Sequence, residues 1–387
     1  MLTREKLTIH HIGGMNGARC FPVINCFEKD IINVLYEANE EEIDGIYARN
    51  KSLPSELHVI PFCIWKCEEK INFNLMKDRH ASSIFELDPK YKDYNNTNCP
   101  SHDYQLGDAF QTDKSIEVNA YSLDYLYEND QMKTPPIDFL SLDTQGSEFD
   151  ILSGATSCLD EVLGVMTEVE ILPVYNGQKT FGDVSNFLTS IDFYMINLFD
   201  CKYVSPKRTP LGLRGTGFLF SCDVLFLKDP KKIISSSRED KIIKLKKLAF
   251  MSIVYSQAEL AEVCFDLIVE EDGLNYWAEG KESSINNFIL EYYQLGRSFQ
   301  TFPLSFSEVS NGDGSPKKEN KLHKLKMSLL KPFHKILLRL PVIKVVYSRG
   351  VINTIKLLIF NDLEKLLVKH DLKLVAKDLR RRRCQNY

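Results

Sequence analysis

Three carboxylates sit where chemistry is plausible. Ile137 to Leu142 is mostly apolar, follows the Pro135-Pro136 breaker, and predicts a buried strand. Asp143 and Gly146 follow it, and Phe149, Ile151, Leu152, Leu159 and Val162 then take up helical spacing. A strand that delivers a carboxylate into a glycine turn and a helix places it at the carboxyl edge of a parallel sheet, where open α/β sheets bind ligands. The alternative is an ordinary turn with Asp143 as a helix cap. Glu168 and Glu170 alternate with apolar neighbours in the next strand, Val162 to Ile171, and so share one face. They either face the site or are solvated edge charges.

A second set lies near the start. Leu7 to Ile12 predicts a strand that enters Gly13-Gly14-Met15-Asn16-Gly17, then a helix over Phe21 to Phe27. Such a turn lets the backbone approach a ligand closely, although glycines also occur in turns for purely steric reasons. Ile31 to Tyr36, the next strand, ends in Glu37, about twenty residues beyond the glycines, where an acid accepts hydrogen bonds from a ribose diol. Together they point to a nucleoside-containing cofactor rather than a plain αβ unit.

Other elements must position these residues. Glu40 to Asn50 predicts a charged helix, and Leu57 to Trp65 a third strand. Ile71 to Met76 suits a hairpin or an insertion, and residues 88 to 115 a long surface loop. Ile116 to Tyr121 is a strand, and Ser122 caps a helix over Leu123 to Glu128. Phe181 to Ser190 predicts a helix; Phe193 to Leu198 and Gly217 to Leu227 close the series as strands. The fold class is α/β, a doubly wound, mostly parallel, Rossmann-like sheet with a C-terminal helical extension. The expected divisions are a core over 1–229, a helical extension over 230–304, a linker over 305–320 and a basic amphipathic helical tail over 321–387.

With 44% hydrophobic and 26% charged residues the chain is ordinary for a globular protein. Its net charge of −5 hides a split: residues 317–387 carry 19 Lys+Arg against 5 Asp+Glu. In the tail Leu329, Leu330, Phe333, Ile336, Leu337 and Leu340 share one helical face, with Lys331, Lys335 and Arg339 on or beside the other. Such a helix suits an anionic membrane surface, or a helical domain with a solvated basic face. No nucleic-acid reading motif or aromatic platform appears, so no nucleic-acid partner is expected. The ten cysteines lack the two-pair spacing of a zinc site, so no metal ligands are assigned. Arg4, Glu5 and Lys6 interrupt any signal-peptide core, and no run of about 18 apolar residues exists. A cytoplasmic protein with reduced thiols is expected, peripheral at the membrane if the tail binds it. His80 and His102 are further base candidates, although lone loop histidines are usually surface residues.

The ordered blocks resemble the FkbM family of S-adenosylmethionine-dependent methyltransferases across roughly residues 7 to 227. Ile137-Asp-Phe-Leu-Ser-Leu-Asp-Thr-Gln-Gly-Ser-Glu-Phe with Ile151-Leu-Ser-Gly-Ala resembles that family's "DFLKIDxxGxE…VLKGA" block. Glu168-Val-Glu-Ile-Leu-Pro-Val-Tyr-Asn-Gly-Gln followed by Phe181 resembles its "plYxGQ…F" segment. Ser82-Ser83-Ile and Tyr121-Ser-Leu-Asp-Tyr-Leu resemble weaker landmarks. His11 departs from the pattern, standing where the family carries an acid that helps bind the methionine part of the cofactor.

The resemblance implies methyl transfer from S-adenosylmethionine, mostly to oxygen, with a glycan or related small molecule as acceptor. It implies Gly13, Gly14, Gly17 and Glu37 on the cofactor, with His11 altered. Asp143 would orient a hydroxyl, take its proton, or share a divalent cation, joined by Glu168 and Glu170 as base or metal ligands. Gln145, Tyr175 and Gln178 would line the acceptor pocket. The rival is a non-catalytic methyltransferase-like core retained for binding or membrane tethering. Oligomeric state is not legible.

Overall fold

The computed structural model describes residues 5–13, 20–38, 42–97, 103–129, 135–208, 213, 215–235, 237–272, 283–296 and 365–366. The chain forms two compact units, Met1–Ile289 and Leu290–Tyr387. In the second, only the end of one helix and residues 365–366 are described, so the linker at 305–320 and nearly all of the basic tail lie outside the described residues.

The first unit is an α/β sandwich. Strands β1 (Leu7–Ile12), β2 (Ile31–Tyr36) and β3 (Glu56–Ile60) are joined by β8 (Phe139–Leu142) and β9 (Gly164–Glu170) in one parallel sheet. Two longer strands, β11 (Phe218–Lys228) and β10 (Phe193–Ser205), continue it antiparallel, with β6 (Asn95–Asn96) at the far edge. The order is β3-β2-β1-β8-β9-β11-β10-β6. A separate sheet in the order β4-β7-β5 is built from β4 (Cys63–Ile64), β7 (Thr112–Tyr121) and β5 (Glu69–Met76).

Strand register divides the main sheet into two faces. On one, Ile12, Leu140, Leu142, Val165, Val169, Val224 and Phe226 pack in a common core with α3 (Leu123–Glu128), α4 (Glu148–Ser153), α5 (Thr156–Glu161) and α6 (Phe181–Ser190). Buried apolar residues on this face drive the layer together. On the other, Phe139 and Phe21 meet edge to face at 5.1 Å between ring centroids. Phe250 of α7 (Arg238–Val254) meets Phe27 at 5.0 Å. Lys247 of the same helix reaches the buried Asp138 at 2.7 Å, so α7 is pinned to the sheet by a charge as well as by rings. Helices α8 (Ala258–Asp272) and α9 (Ser284–Gly296) follow, and the compact unit runs on to Ile289.

Several expectations are corrected. Phe21 to Phe27 is not a helix but an irregular segment ending in a short turn over Glu28–Asp30. Pro22 lacks an N–H, and Phe21, Ile24 and Phe27 are spent as three anchors in the core. The buried Glu28 carboxylate takes the Ile24 N–H at 3.0 Å. The run Leu57 to Trp65 divides at Pro61, its second part moving to the small sheet. Residues 88–97 and 103–115 are not bare loop: they contain β6, α2 (Leu106–Ala109) and the first residues of β7. α1 (Ile43–Asn50) begins at Ile43, residues 39–41 being outside the described set.

Candidate functional site

β1, β8 and β9 end side by side, and their carboxyl ends build the site. Asp143 leaves β8 with its N–H bonded to the Ile12 carbonyl at 3.0 Å. Gly13 is at φ +93, and a Cβ there would lie 1.9 Å from the Asp143 carbonyl oxygen. Only glycine permits that approach. The turn that follows is closed by Glu148, whose buried carboxylate accepts the Thr144 N–H at 2.7 Å and the Gly146 N–H at 3.0 Å.

Gln145 is the node. It is held at φ +55, uncommon for a residue with a side chain. Its Nε2 donates to Asp143 Oδ1 at 3.0 Å and to Glu168 Oε2 at 2.8 Å, so one amide ties the two carboxylates. Tyr175 donates its hydroxyl to Gln145 Oε1 at 3.0 Å, which orients that amide, and Ser83 donates to the Gln145 carbonyl at 2.6 Å. Gln178 Oε1 accepts the Tyr175 N–H at 3.1 Å, while its Nε2 is buried and has no partner.

Glu168 and Glu170 are 4% and 3% exposed, so the solvated-edge alternative does not hold. Glu168 Oε1 accepts Lys202 Nζ at 2.5 Å and the Ser221 hydroxyl at 3.2 Å. Burial and then Asp143 push its carboxyl up to about 7, against the pull of Lys202. Burial is also the main cause for Glu148, raised to about 7, and for Asp223, raised to about 6 with Glu168 as its next cause. Glu170 is raised well above the carboxylate range by burial, then by Glu148 and Glu168.

His11 lies at the edge of this group. Its Nδ1 is 2.7 Å from Ser141 Oγ, and burial pulls its pKa down to about 4, leaving a neutral imidazole. Ser141 Oγ also accepts the Cys20 N–H at 3.3 Å. Glu37 is buried at the end of β2, two strands from Asp143 in the sheet order, and its N–H bonds to the Ile60 carbonyl at 3.1 Å. Gly14, Gly17 and His102 lie outside the described residues, and His80 is exposed in a short turn over Arg79–Ala81. Thus Asp143, Gln145, Glu168, Tyr175 and Gln178 form one bonded set, Glu170 adjoins it, and Glu37 stands apart.

Sequence reasoning missed Lys202, Ser221, Asp223 and the role of Glu148. A signal existed for two of them: Ser221 and Asp223 alternate with Phe220, Cys222 and Val224. Lys202 gave none, because it follows a bulge that breaks the alternation of β10. Among the described residues, no three His, Cys, Asp or Glu side chains are arranged to share a metal ion.

A solved structure of Methyltransferase FkbM from Methylobacillus flagellatus KT is similar at 12% identity with a TM-score of 0.33, over 58% of this chain and 44% of that one. The matched part thus spans less than half the length of that protein. No curated protein matches the chain. The family model of the methyltransferase FkbM domain matches residues 11–203, a span that runs from His11 past Lys202. Residues 11–203 of this chain therefore belong to the FkbM methyltransferase family.

Proposed function

We propose that this protein transfers a methyl group from S-adenosylmethionine to a hydroxyl of a small-molecule or glycan acceptor. The observation that carries the reading is the bonded set at the carboxyl ends of β8 and β9, inside the family's span. When bound, the cofactor supplies a methyl already activated on a sulfonium. The protein's work is therefore to hold the acceptor in line and to take its proton.

The residues fit the cofactor unevenly. Gly13 lets the backbone come close, and the buried Glu37 would hold the ribose hydroxyls. His11, neutral and bonded to Ser141, supplies no negative charge for the cofactor's amino group. On the acceptor side Asp143 is half-buried and would orient the hydroxyl and receive its proton. Glu168 is less suited to that task, since both of its oxygens already accept hydrogen bonds. The same saturation makes a divalent cation a poorer fit than direct proton transfer.

His11 also favours a second reading, a methyltransferase-like module that binds or tethers without catalysis. Calorimetry separates the two. The active reading expects S-adenosylmethionine to bind the full chain, to bind at least about tenfold more weakly in Glu37→Ala, and to bind unchanged in Asp143→Asn. No binding at saturating cofactor would sink it. The basic tail adds a partner to the proposal, an anionic membrane surface. Co-sedimentation with anionic vesicles should fall when residues 321–387 are removed, and unchanged binding would discard that role. Among the described residues no helix is long and apolar enough to cross a membrane.

A further inference from the structure

The ladder between β10 and β11 brings two thiols together, those of Cys201 and Cys222. Phe199 lies opposite Asp223 and Lys202 opposite Ser221, with a break in register between them. Cys222 is therefore the residue of β11 that faces the bulge formed by Asp200 and Cys201. Both thiols lie on the same face of the sheet, since Cys222 belongs to the apolar core under α3 to α6 and Cys201 packs on that core. Opposed residues of an antiparallel ladder have Cα atoms roughly 4.5–5.5 Å apart, inside the about 4.4–6.8 Å that a disulfide spans. Burial pushes the Cys222 thiol up to about 12, and the Cys201 thiol, within hydrogen-bonding reach of it, pushes the same way. No other described cysteine faces a cysteine across a ladder.

The neighbours of these thiols hold the site. Lys202 follows Cys201 and Ser221 precedes Cys222, and both donate to Glu168 Oε1, at 2.5 and 3.2 Å. The bulge thus carries thiols on one face of the sheet and the donors of Glu168 on the other. Asp200, its first residue, is at φ +41, a left-handed conformation uncommon for a residue with a side chain. An S–S bond of about 2 Å is shorter than any non-bonded contact between sulfurs. Closing it would draw β10 towards β11 at Cys201, and Lys202 would move with its neighbour. Cys201 is half-buried and Cys222 is buried, so a reagent from solvent meets Cys201 first.

We propose that Cys201 and Cys222 form a reversible oxidation site, closed by exchange with a small-molecule disulfide, and that closure alters the hold of Lys202 and Ser221 on Glu168. The Cys201 thiolate attacks one sulfur of the small disulfide, breaking its S–S bond, forming a mixed disulfide and releasing one thiolate. The Cys222 sulfur then attacks Cys201 Sγ and displaces the second thiolate. The protons of the two protein thiols end on the two released thiols. The cysteine pair is oxidised by two electrons, and the small disulfide is reduced by the same two. An excess of a reducing dithiol runs the exchange backwards. Neither part of the proposal rests on the methyl-transfer reading.

Peptide mass spectrometry tests the oxidation site on the folded full chain. After incubation with excess oxidised glutathione at about pH 8, a peptide pair linked through Cys201 and Cys222 should appear, and dithiothreitol should remove it. In Cys222→Ser the glutathione should stay on Cys201, because nothing is left to displace it. Failure of the linked pair to form in the wild type, or glutathione retained on Cys201 there, overturns the site. The wild-type result decides by itself, so the test survives a Cys222→Ser chain that does not fold.

The coupling to Glu168 is read by carbon resonance of the chain labelled at its glutamate carboxyls. The resonance that disappears in Glu168→Gln should shift when the wild type is oxidised with glutathione and return on reduction. In Cys201→Ser the same treatment should leave it in place. An unmoved resonance in the oxidised wild type, or an equal shift in Cys201→Ser, overturns the coupling. Failure to bind S-adenosylmethionine would overturn the methyl-transfer reading and leave both of these results standing.

Discussion

Gln145 and Lys202 hold together two acids that would otherwise repel. Glu168 takes a lysine at 2.5 Å on one oxygen and the Gln145 amide at 2.8 Å on the other. Removing the lysine leaves the charge buried with only neutral donors, a loss that runs to about 3–5 kcal/mol for a fully buried pair. The Lys202 side chain is 31% exposed, so Lys202→Met should cost less, roughly 2 kcal/mol near pH 8. The cost should shrink near pH 5, where Glu168 is protonated and needs no cation. Urea unfolding at the two pH values measures this, and an equal loss at both would show that the lysine acts through packing alone. Of this arrangement Asp143 and Glu168 were legible from the apolar strands that carry them, and Gln145 only through the family resemblance. Lys202 was not, since a residue beyond a strand bulge takes its facing from the bulge.

At the scale of elements, legibility followed apolar runs and helical spacing. β1, β2, α3 and α6 lie where short apolar runs, helical spacing and a serine cap place them. The segment 20–30 shows the limit of that signal. Three apolar residues three apart read as a helical face, yet they serve as anchors in an irregular chain because tertiary burial outweighs local propensity. The segment ends in Asp30, whose Oδ2 accepts the Ser284 N–H at 2.6 Å and the Ile285 N–H at 3.1 Å. A residue from the turn just before β2 therefore caps α9, some 250 positions later, and no sequence pattern announces a cap so distant. Asp30→Ala should cost about 1–2 kcal/mol. The loss should be local: amide exchange at Ser284 and Ile285 should rise well before that of the β1 and β8 amides. Uniform acceleration through the sheet would assign Asp30 to the core instead.

For the whole molecule, the buried acids and the buried histidines pull stability in opposite directions with pH. Glu148 and Glu168 are raised from 4.5 to about 7, and Asp223 from 3.8 to about 6. Above about pH 4.5 the unfolded chain has released these protons while the folded chain still holds them, so stability falls as pH rises until the folded values are passed. His10 and His11 are lowered by burial to about 3 and about 4. Between those values and 6.5 the unfolded chain binds protons that the folded chain refuses, so stability there rises with pH. The histidines therefore offset part of the acids' decline up to about pH 6.5 and none of it beyond. Unfolding free energy should fall nearly evenly between about pH 5 and 7.5, by roughly 2 kcal/mol in all. Urea midpoints across that range test the argument. A flat profile through neutrality would mean that the acids are ionised in the folded chain and matched by donors. Glu168→Gln should lessen the fall across the whole range, since one of the protons that cause it is gone.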